Sequence, residues 1–220
     1  MIKKNDVIEI NYTGKLAEDK QVFDTTEEQV AKDNKIYSEK VKGQFKPLIL
    51  CVGQSQVLPG LDNSLVGKKK GDKYTVNISQ DDGFGKKDPK LIELVPMSKF
   101  REQKINPMVG MHVNIDDSQG IVRSVSGGRV IIDFNHPFSG RDLIYDIEVL
   151  KVFEDNKEKL ALLVKSLFGV ESEITVDGKK ASIKLKLPVN VPKETINDQT
   201  KATMVNKLKE LSDLEINITI

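Results

Sequence analysis

The sequence has one cysteine, two histidines and no excess of charge of either sign in 220 residues, and each scarcity narrows the chemistry. Cys51 lies inside the apolar stretch 48–52. A lone thiol cannot close an internal disulfide, so nothing here points to an oxidising compartment, and a small hydrophobe in a strand reads as core rather than nucleophile. His112 and His136 stand far apart, neither within a Cys or carboxylate cluster of metal-ligand spacing, so no metal and no cofactor is expected. There is no G-x-S-x-G nucleophile elbow and no phosphate-cradling loop, Gly127-Gly128-Arg129 reading only as a hairpin. A formal net charge of +1 argues against a nucleic-acid partner, which would call for a basic excess on one face. The run Lys68-Lys69-Lys70 between Gly67 and Gly71 reads as a solvated turn. No apolar run approaches membrane-spanning length, and Met1-Ile2-Lys3-Lys4-Asn5-Asp6 lacks the apolar core of a signal peptide. The expected location is cytoplasmic, with no membrane partner.

What is present is ordinary soluble material, 38% hydrophobic and 30% charged, long enough for two or three small domains. Ile8, Ile10 and Tyr12 alternate with Glu9 and Asn11, the period-2 pattern of a half-buried strand that begins to exit at Thr13-Gly14. A second short strand is expected over 22–26. Residues 27–46 read as a polar insertion with a helical turn near Glu27-Glu28-Gln29-Val30. A strand over 48–52 follows. Leu58, Leu61 and Leu65 then lie three and four apart, one stripe of a short helix with Pro59 in its first turn and Gly67 at its stop. Tyr74, Val76 and Ile78 alternate as another strand.

Beyond this point the pattern changes. Three short strands, over 111–115, 120–125 and 129–134, make a small all-β unit whose Ser126-Gly127-Gly128 link is a hairpin signal. The host sheet resumes at about Asp142 with a long strand carrying Tyr145, Ile147 and Val149 on one face. The simplest organisation is a discontinuous domain over 1–86 and 138–153, an insert over 87–137, and a C-terminal unit over 154–220. In that tail, Asp155 and Glu158 form a capping box for a helix containing Leu160, Leu163, Val164 and Leu167, stopped by Gly169. Strands over 173–176 and 181–187 are joined by Asp177-Gly178, expected as a type I′ turn. A second helix carries Val205, Leu208 and Leu211, and Ile216, Ile218 and Ile220 alternate as a last strand. This α-β-β-α-β unit is marginal alone. It gains from docking or from pairing with a second copy, so a homodimer through the C-terminal domain is one expectation.

The sequence offers no covalent or acid–base machinery. It does offer aromatic and aliphatic side chains where strands enter turns, together with one acid: Tyr12, Phe23, Asp24, Val57, Leu58, Phe84 and Tyr145. The ordered motifs Ile10-Asn11-Tyr12-Thr13-Gly14, Val22-Phe23-Asp24-Thr25, Val57-Leu58-Pro59-Gly60-Leu61, Asp82-Gly83-Phe84-Gly85 and Leu143-Ile144-Tyr145-Asp146-Ile147-Glu148-Val149 resemble the FKBP family. Asn135-His136-Pro137-Phe138-Ser139-Gly140 resembles the insert-in-flap region of SlyD-type members. The resemblance spans roughly residues 1–153. The tail and the loop over 27–46 are similar to long archaeal-type members.

The resemblance implies an α+β fold: an antiparallel sheet wrapped on a short helix, with an inserted small all-β domain and the C-terminal α-β-β-α-β domain. It implies a peptidyl-prolyl cis/trans isomerase whose hydrophobic pocket takes proline in unfolded or partly folded polypeptides. By motif, Tyr12 and Phe23 are pocket walls with Asp24 beside them. Leu48 is a further wall, Val57 and Leu58 form the rim, and the Leu58 N–H meets a substrate carbonyl. Leu61 is the floor, where small members carry tryptophan. Phe84 replaces the usual tyrosine and so loses a hydroxyl, and Tyr145 replaces the usual phenylalanine. In the insert, Met97, Phe100, Ile105, Met108 and Met111 are adaptable apolar side chains that either hold unfolded clients or form the small core under the hairpin. Two alternatives stay open: a folding chaperone with a weak or decayed isomerase site, kept alive by Phe84, and an assembly protein whose tail dimerises.

Overall fold

A computed structural model describes residues 1–116, 118–187 and 196–219. Along the chain the elements are β1 (Val7–Leu16), β2 (Val22–Thr25), α1 (Glu28–Asp33), β3 (Leu48–Cys51), α2 (Pro59–Leu65) and β4 (Lys73–Ile78). Next come β5 (Ile92–Pro96), α3 (Met97–Glu102), β6 (His112–Ile115), β7 (Ser118–Ser126) and β8 (Arg129–Asp133). Last are β9 (Leu143–Phe153), α4 (Asn156–Phe168), β10 (Glu171–Asp177), β11 (Lys180–Lys186), α5 (Asp198–Ser212) and β12 (Glu215–Thr219). They fall into two compact units, Met1–Asn77 with Ile144–Ile220, and Ile78–Leu143.

The main sheet of the first unit runs β2-β1-β9-β4, with β3 also pairing β1. β1 serves both partners in succession: Val7 to Ile10 pair antiparallel with β3, and Thr13 to Lys15 with β2. The strand does not exit at Thr13-Gly14 but continues to Leu16 past an irregularity between Gly14 and Lys15. Its alternation separates two faces. Lys15 reaches Asp146 at 2.6 Å, Thr75 reaches Asp146 at 2.6 Å and Lys73 reaches Glu148 at 3.0 Å, so these polar residues share the outer face. Ile8, Ile10, Tyr12 and Gly14 therefore share the inner face with Tyr145, Ile147, Val149 and Tyr74. The Tyr74 and Ser64 hydroxyls lie 3.2 Å apart, which sets the C-terminal end of α2 over that inner face. The N-terminal half of α2 is tied by Asp62, whose Oδ1 accepts from the Gly53 N–H at 2.8 Å. Leu61 and Leu65 are buried. A sheet with one short helix over its inner face is the result, in an α+β chain.

In the tail, β11 pairs β10 antiparallel and β12 parallel. The α-β-β-α-β order is as the periodicity expects, but the tail falls within the first compact unit. Its core of Leu160, Leu163, Val164, Ile183 and Leu208 includes Val7 and Cys51 from β1 and β3 and Phe153 from β9. Gln56 donates to the Ser166 hydroxyl at 2.8 Å, adding a polar tie to α4. At the start of α4 the Asp155 carboxylate accepts from the Glu158 N–H at 2.8 Å. Glu158 turns instead to Lys151 at 2.7 Å, so only half of the capping box forms. Asp177 pairs with Lys180, leaving Gly178 and Lys179 as the turn, and of the two only Gly178 has a positive φ. Type I′ needs two such residues, so the expected turn gives way to one with the type II′ requirement. Ile220, expected to close the final strand, lies outside the described residues.

The second unit is an antiparallel sheet of order β5-β8-β7-β6. The hairpin at Gly127-Gly128 has positive φ at both glycines, as a type I′ link demands. β5 and α3 add to the three strands read from the sequence. β5 is short and ends in proline, which hides it from a periodicity argument. Its pairing with β8 places Val95 opposite Val130 in a small core with Phe100, Val113, Val122 and Ile132.

Candidate functional site

The first unit brings four of the expected residues together: Tyr12, Phe23, Asp24 and Tyr145. Tyr12 is fixed from its backbone outward. Its N–H donates to the Thr26 hydroxyl at 2.9 Å, its carbonyl accepts from the Thr26 N–H at 3.0 Å, and next to it the Thr13 and Thr25 hydroxyls pair at 2.9 Å. Its phenol donates to Asp24 Oδ2 at 2.8 Å. The Tyr145 ring lies 5.7 Å from that of Tyr12, tilted at 51°, and 6.0 Å from that of Phe23, edge-on at 85°. Both geometries suit aromatic quadrupoles. Tyr145 is 3% exposed, Tyr12 and Phe23 are half-buried and Asp24 is exposed. The cluster thus runs from the core to the surface.

Gly14 makes this approach possible, a role the sequence reading missed. A Cβ built there would lie 3.0 Å from the end of the Phe23 ring and 3.0 Å from two atoms of the Tyr145 ring. The available signal was a glycine inside a strand, which often marks a close approach. Electrostatics keep both phenols neutral. Burial, then the Asp24 charge and hydrogen bond, push the Tyr12 phenol well above the ordinary tyrosine range. Burial and the Asp24 charge do the same to Tyr145.

Other expected residues are placed by their elements. Leu48 pairs with Ile10 at the start of β3 and is half-buried. Val57 and Leu58, also half-buried, lead into α2, and Leu61 is buried on it. Phe84 belongs to the second unit, where it stacks on His136 at 4.3 Å and 11° and meets Phe138 at 5.5 Å.

The second unit corrects part of the expected capture surface. Phe100 is 4% exposed and is a core residue, because α3 folds back onto the sheet. Met97, Ile105 and Met111 are half-buried against that core, and only Met108, at 65%, stands free. Phe100, Ile105 and Met111 also line a hollow of about 300 Å³. Further apolar side chains that sequence reading did not single out are exposed here: Leu94, Ile92 and Ile131 on one sheet face, and Leu91 and Val109 elsewhere in the unit. Asp133, almost fully buried, takes Lys87 at 2.8 Å and Arg123 at 3.0 Å, and accepts from the Asn135 N–H at 3.0 Å. Burial opposes its charge, but these donors outweigh burial and hold the carboxyl well below the usual range. Among the described residues no group of three or more His, Cys, Asp or Glu could hold a metal. No helix there is long and apolar enough to cross a membrane.

Residues 93–138 match the family described as FKBP26, IF domain. Over 152 residues, 69% of this chain and 94% of the relative, the sequence is 32% identical to a short-type peptidyl-prolyl cis-trans isomerase of Methanocaldococcus jannaschii. It is 31% identical over 125 residues to an FKBP-type 16 kDa peptidyl-prolyl cis-trans isomerase of Escherichia coli, covering 54% of this chain and 83% of that one. It is also 34% identical over 119 residues to the SlyD isomerase of Yersinia pestis, covering 52% and 60% respectively. With one relative matched over nearly its whole length, an FKBP-type relative matched over 83% of its own, and an insert in the chain between β4 and β9, the protein belongs to the FKBP-type peptidyl-prolyl cis-trans isomerase family.

Proposed function

We infer that this protein catalyses cis/trans rotation about X–Pro bonds and that the Tyr12–Phe23–Asp24–Tyr145 cluster forms the heart of the site. Rotation must break amide resonance, a barrier of about 18–20 kcal/mol. The twisted amide has a less polarised carbonyl and a nitrogen that has regained its lone pair. Surroundings of low polarity therefore favour the twisted state over the planar one, and that differential lowers the barrier. The convergence of the Phe23 and Tyr145 rings on the backbone at Gly14, with the Tyr12 ring against Tyr145, is the observation that carries this reading. Asp24 orients the Tyr12 phenol and acts as no base, since the reaction moves no proton. Leu48, Val57, Leu58 and Leu61 complete the apolar lining, with the Leu58 N–H holding a substrate carbonyl.

The substrates are proline-containing stretches of unfolded or partly folded polypeptides. In functional terms we assign isomerisation to residues 1–86 and 138–153, client capture to 87–137 and support to 154–220, with pairing of two copies through the tail as its further role. Both ends of the insert are covalently joined to the isomerase segments, so a captured client meets the site at raised effective concentration. A second reading, a client-binding protein with a weak isomerase site, draws support from the apolar side chains exposed on the second unit. A protease-coupled assay on an X–Pro tetrapeptide separates the two. The protein should accelerate isomerisation, and Tyr12→Ala and Asp24→Leu should each lower kcat/KM by about tenfold or more, within the range seen when well-placed site contacts are lost. Folded variants with unchanged activity would reject the site.

A further inference from the structure

A donor that lines a site and is spent on no protein group is available to a ligand. Tyr145 carries such a donor. Its side chain is 3% exposed, and among the described residues its hydroxyl makes no hydrogen bond yet is not cut off from solvent, the one fully buried side-chain polar atom without a partner being Ser172 Oγ. The neighbouring phenol of Tyr12 is already committed to Asp24 at 2.8 Å. The hydroxyl-bearing end of the Tyr145 ring points to the site: its Cζ lies 3.0 Å from where a Gly14 Cβ would sit, as does the tip of the Phe23 ring. Phenylalanine would fill the same space between Tyr12 and Phe23, so what tyrosine adds here is a donor at the edge of the site that no protein group takes up.

We propose that the Tyr145 hydroxyl is a substrate-binding donor that hydrogen-bonds a peptide carbonyl flanking the rotating X–Pro amide. This rests on the isomerase reading above and names one contact within it. The rotating carbonyl itself is excluded on chemical grounds. A donor on that oxygen would strengthen amide resonance and stabilise the planar state, raising the barrier the enzyme must lower. A flanking carbonyl keeps its polarity through the rotation, so a bond to it holds planar and twisted amide equally. The hydroxyl therefore contributes uniform binding: its loss raises KM and leaves kcat in place.

Tyr145→Phe keeps the ring and removes only the donor. On an X–Pro tetrapeptide its KM should rise about two- to tenfold, the span of one neutral hydrogen bond, with kcat unchanged. Unchanged KM, or a fall in kcat at constant KM, overturns the proposal while leaving wild-type isomerase activity, and so the broader reading, intact. Absence of activity in the wild type sinks the broader reading instead. A second measurement uses peptides in which each flanking carbonyl in turn is replaced by a thioamide, a weaker acceptor. One such peptide should bind the wild type more weakly by a factor that largely disappears in Tyr145→Phe, the mark of a coupled pair in a double-mutant cycle. If no flanking position couples, the hydroxyl does not touch the substrate. Should Tyr145→Phe fold poorly, the same series on wild type still decides: affinity indifferent to every thioamide refutes the contact.

Discussion

The two compact units treat apolar surface in opposite ways. Of the large hydrophobics exposed among the described residues, only Met1 and Val66 lie in the first unit, whereas Leu91, Ile92, Leu94, Met108, Val109 and Ile131 all lie in the second. The first unit gathers its apolar side chains into a core and brings three aromatic rings together in one small cluster. The second has six buried hydrophobics in its cluster and depends on a buried carboxylate for cohesion. Under the proposed function this contrast is a division of labour. A unit that turns a bond must be rigid and closely packed. One that holds varied chains keeps oily surface uncovered and uses polar ties to compensate.

The sharpest way to break this comparison is to remove the exposed surface altogether. Replacing 87–137 by a short turn should leave tetrapeptide isomerisation within about twofold, while catalysed refolding of a proline-limited protein falls by roughly a hundredfold, the size of a tethering advantage. Unchanged refolding catalysis would end the idea of capture. Next is the tie inside the second unit. Asp133→Ala leaves the Asn135 N–H without its acceptor and should destabilise that unit by about 3 kcal/mol, toward the low end of the cost of breaking a buried pair because Lys87 and Arg123 are half exposed. Calorimetry should then show an early transition absent from the parent; a single unshifted transition would count against the tie. In the first unit, Gly14→Ala presses a methyl onto two rings and should cost about 1–3 kcal/mol together with most of the isomerase activity.

The smallest expected effect is with pH. Tyr12 and Tyr145 are raised above the ordinary 10.0 in the folded chain. In the unfolded chain they ionise first, so the folded state binds more protons above that value and stability falls as pH rises past it. Below pH 10 these phenols should produce no bend in either stability or the isomerisation rate. A rate profile bending near neutrality would show that some other titrating group governs the site.

Much of this architecture is legible in the sequence because it rests on period and punctuation. Ile8, Ile10 and Tyr12 announce β1, Leu58, Leu61 and Leu65 announce α2, and the two glycines after Ser126 announce a hairpin. What escapes is whatever depends on a third dimension. Phe100 looks like surface bait until α3 folds it under the sheet. Glu158 looks like the second half of a capping box until Lys151 on the preceding strand competes for it. Gly14 looks like a strand end until two rings from separate strands are seen to need the space. Of the candidate site, the chemistry of Tyr12, Phe23, Asp24 and Tyr145 could be named from motif order. The committed and uncommitted hydroxyls could not, since they depend on which oxygen lies within 3 Å of which.

The tail's core also has a bearing on synthesis. Val7 and Cys51, made early, pack beside Leu160, Val164 and Leu208, made late. During translation the flank of β1 and β3 must wait for α4 and α5 to emerge before it is covered. Such distant pairings are slow to form and leave sticky intermediates in the meantime. A ribosome stalled before Leu160 would therefore display a folding helper that itself needs help.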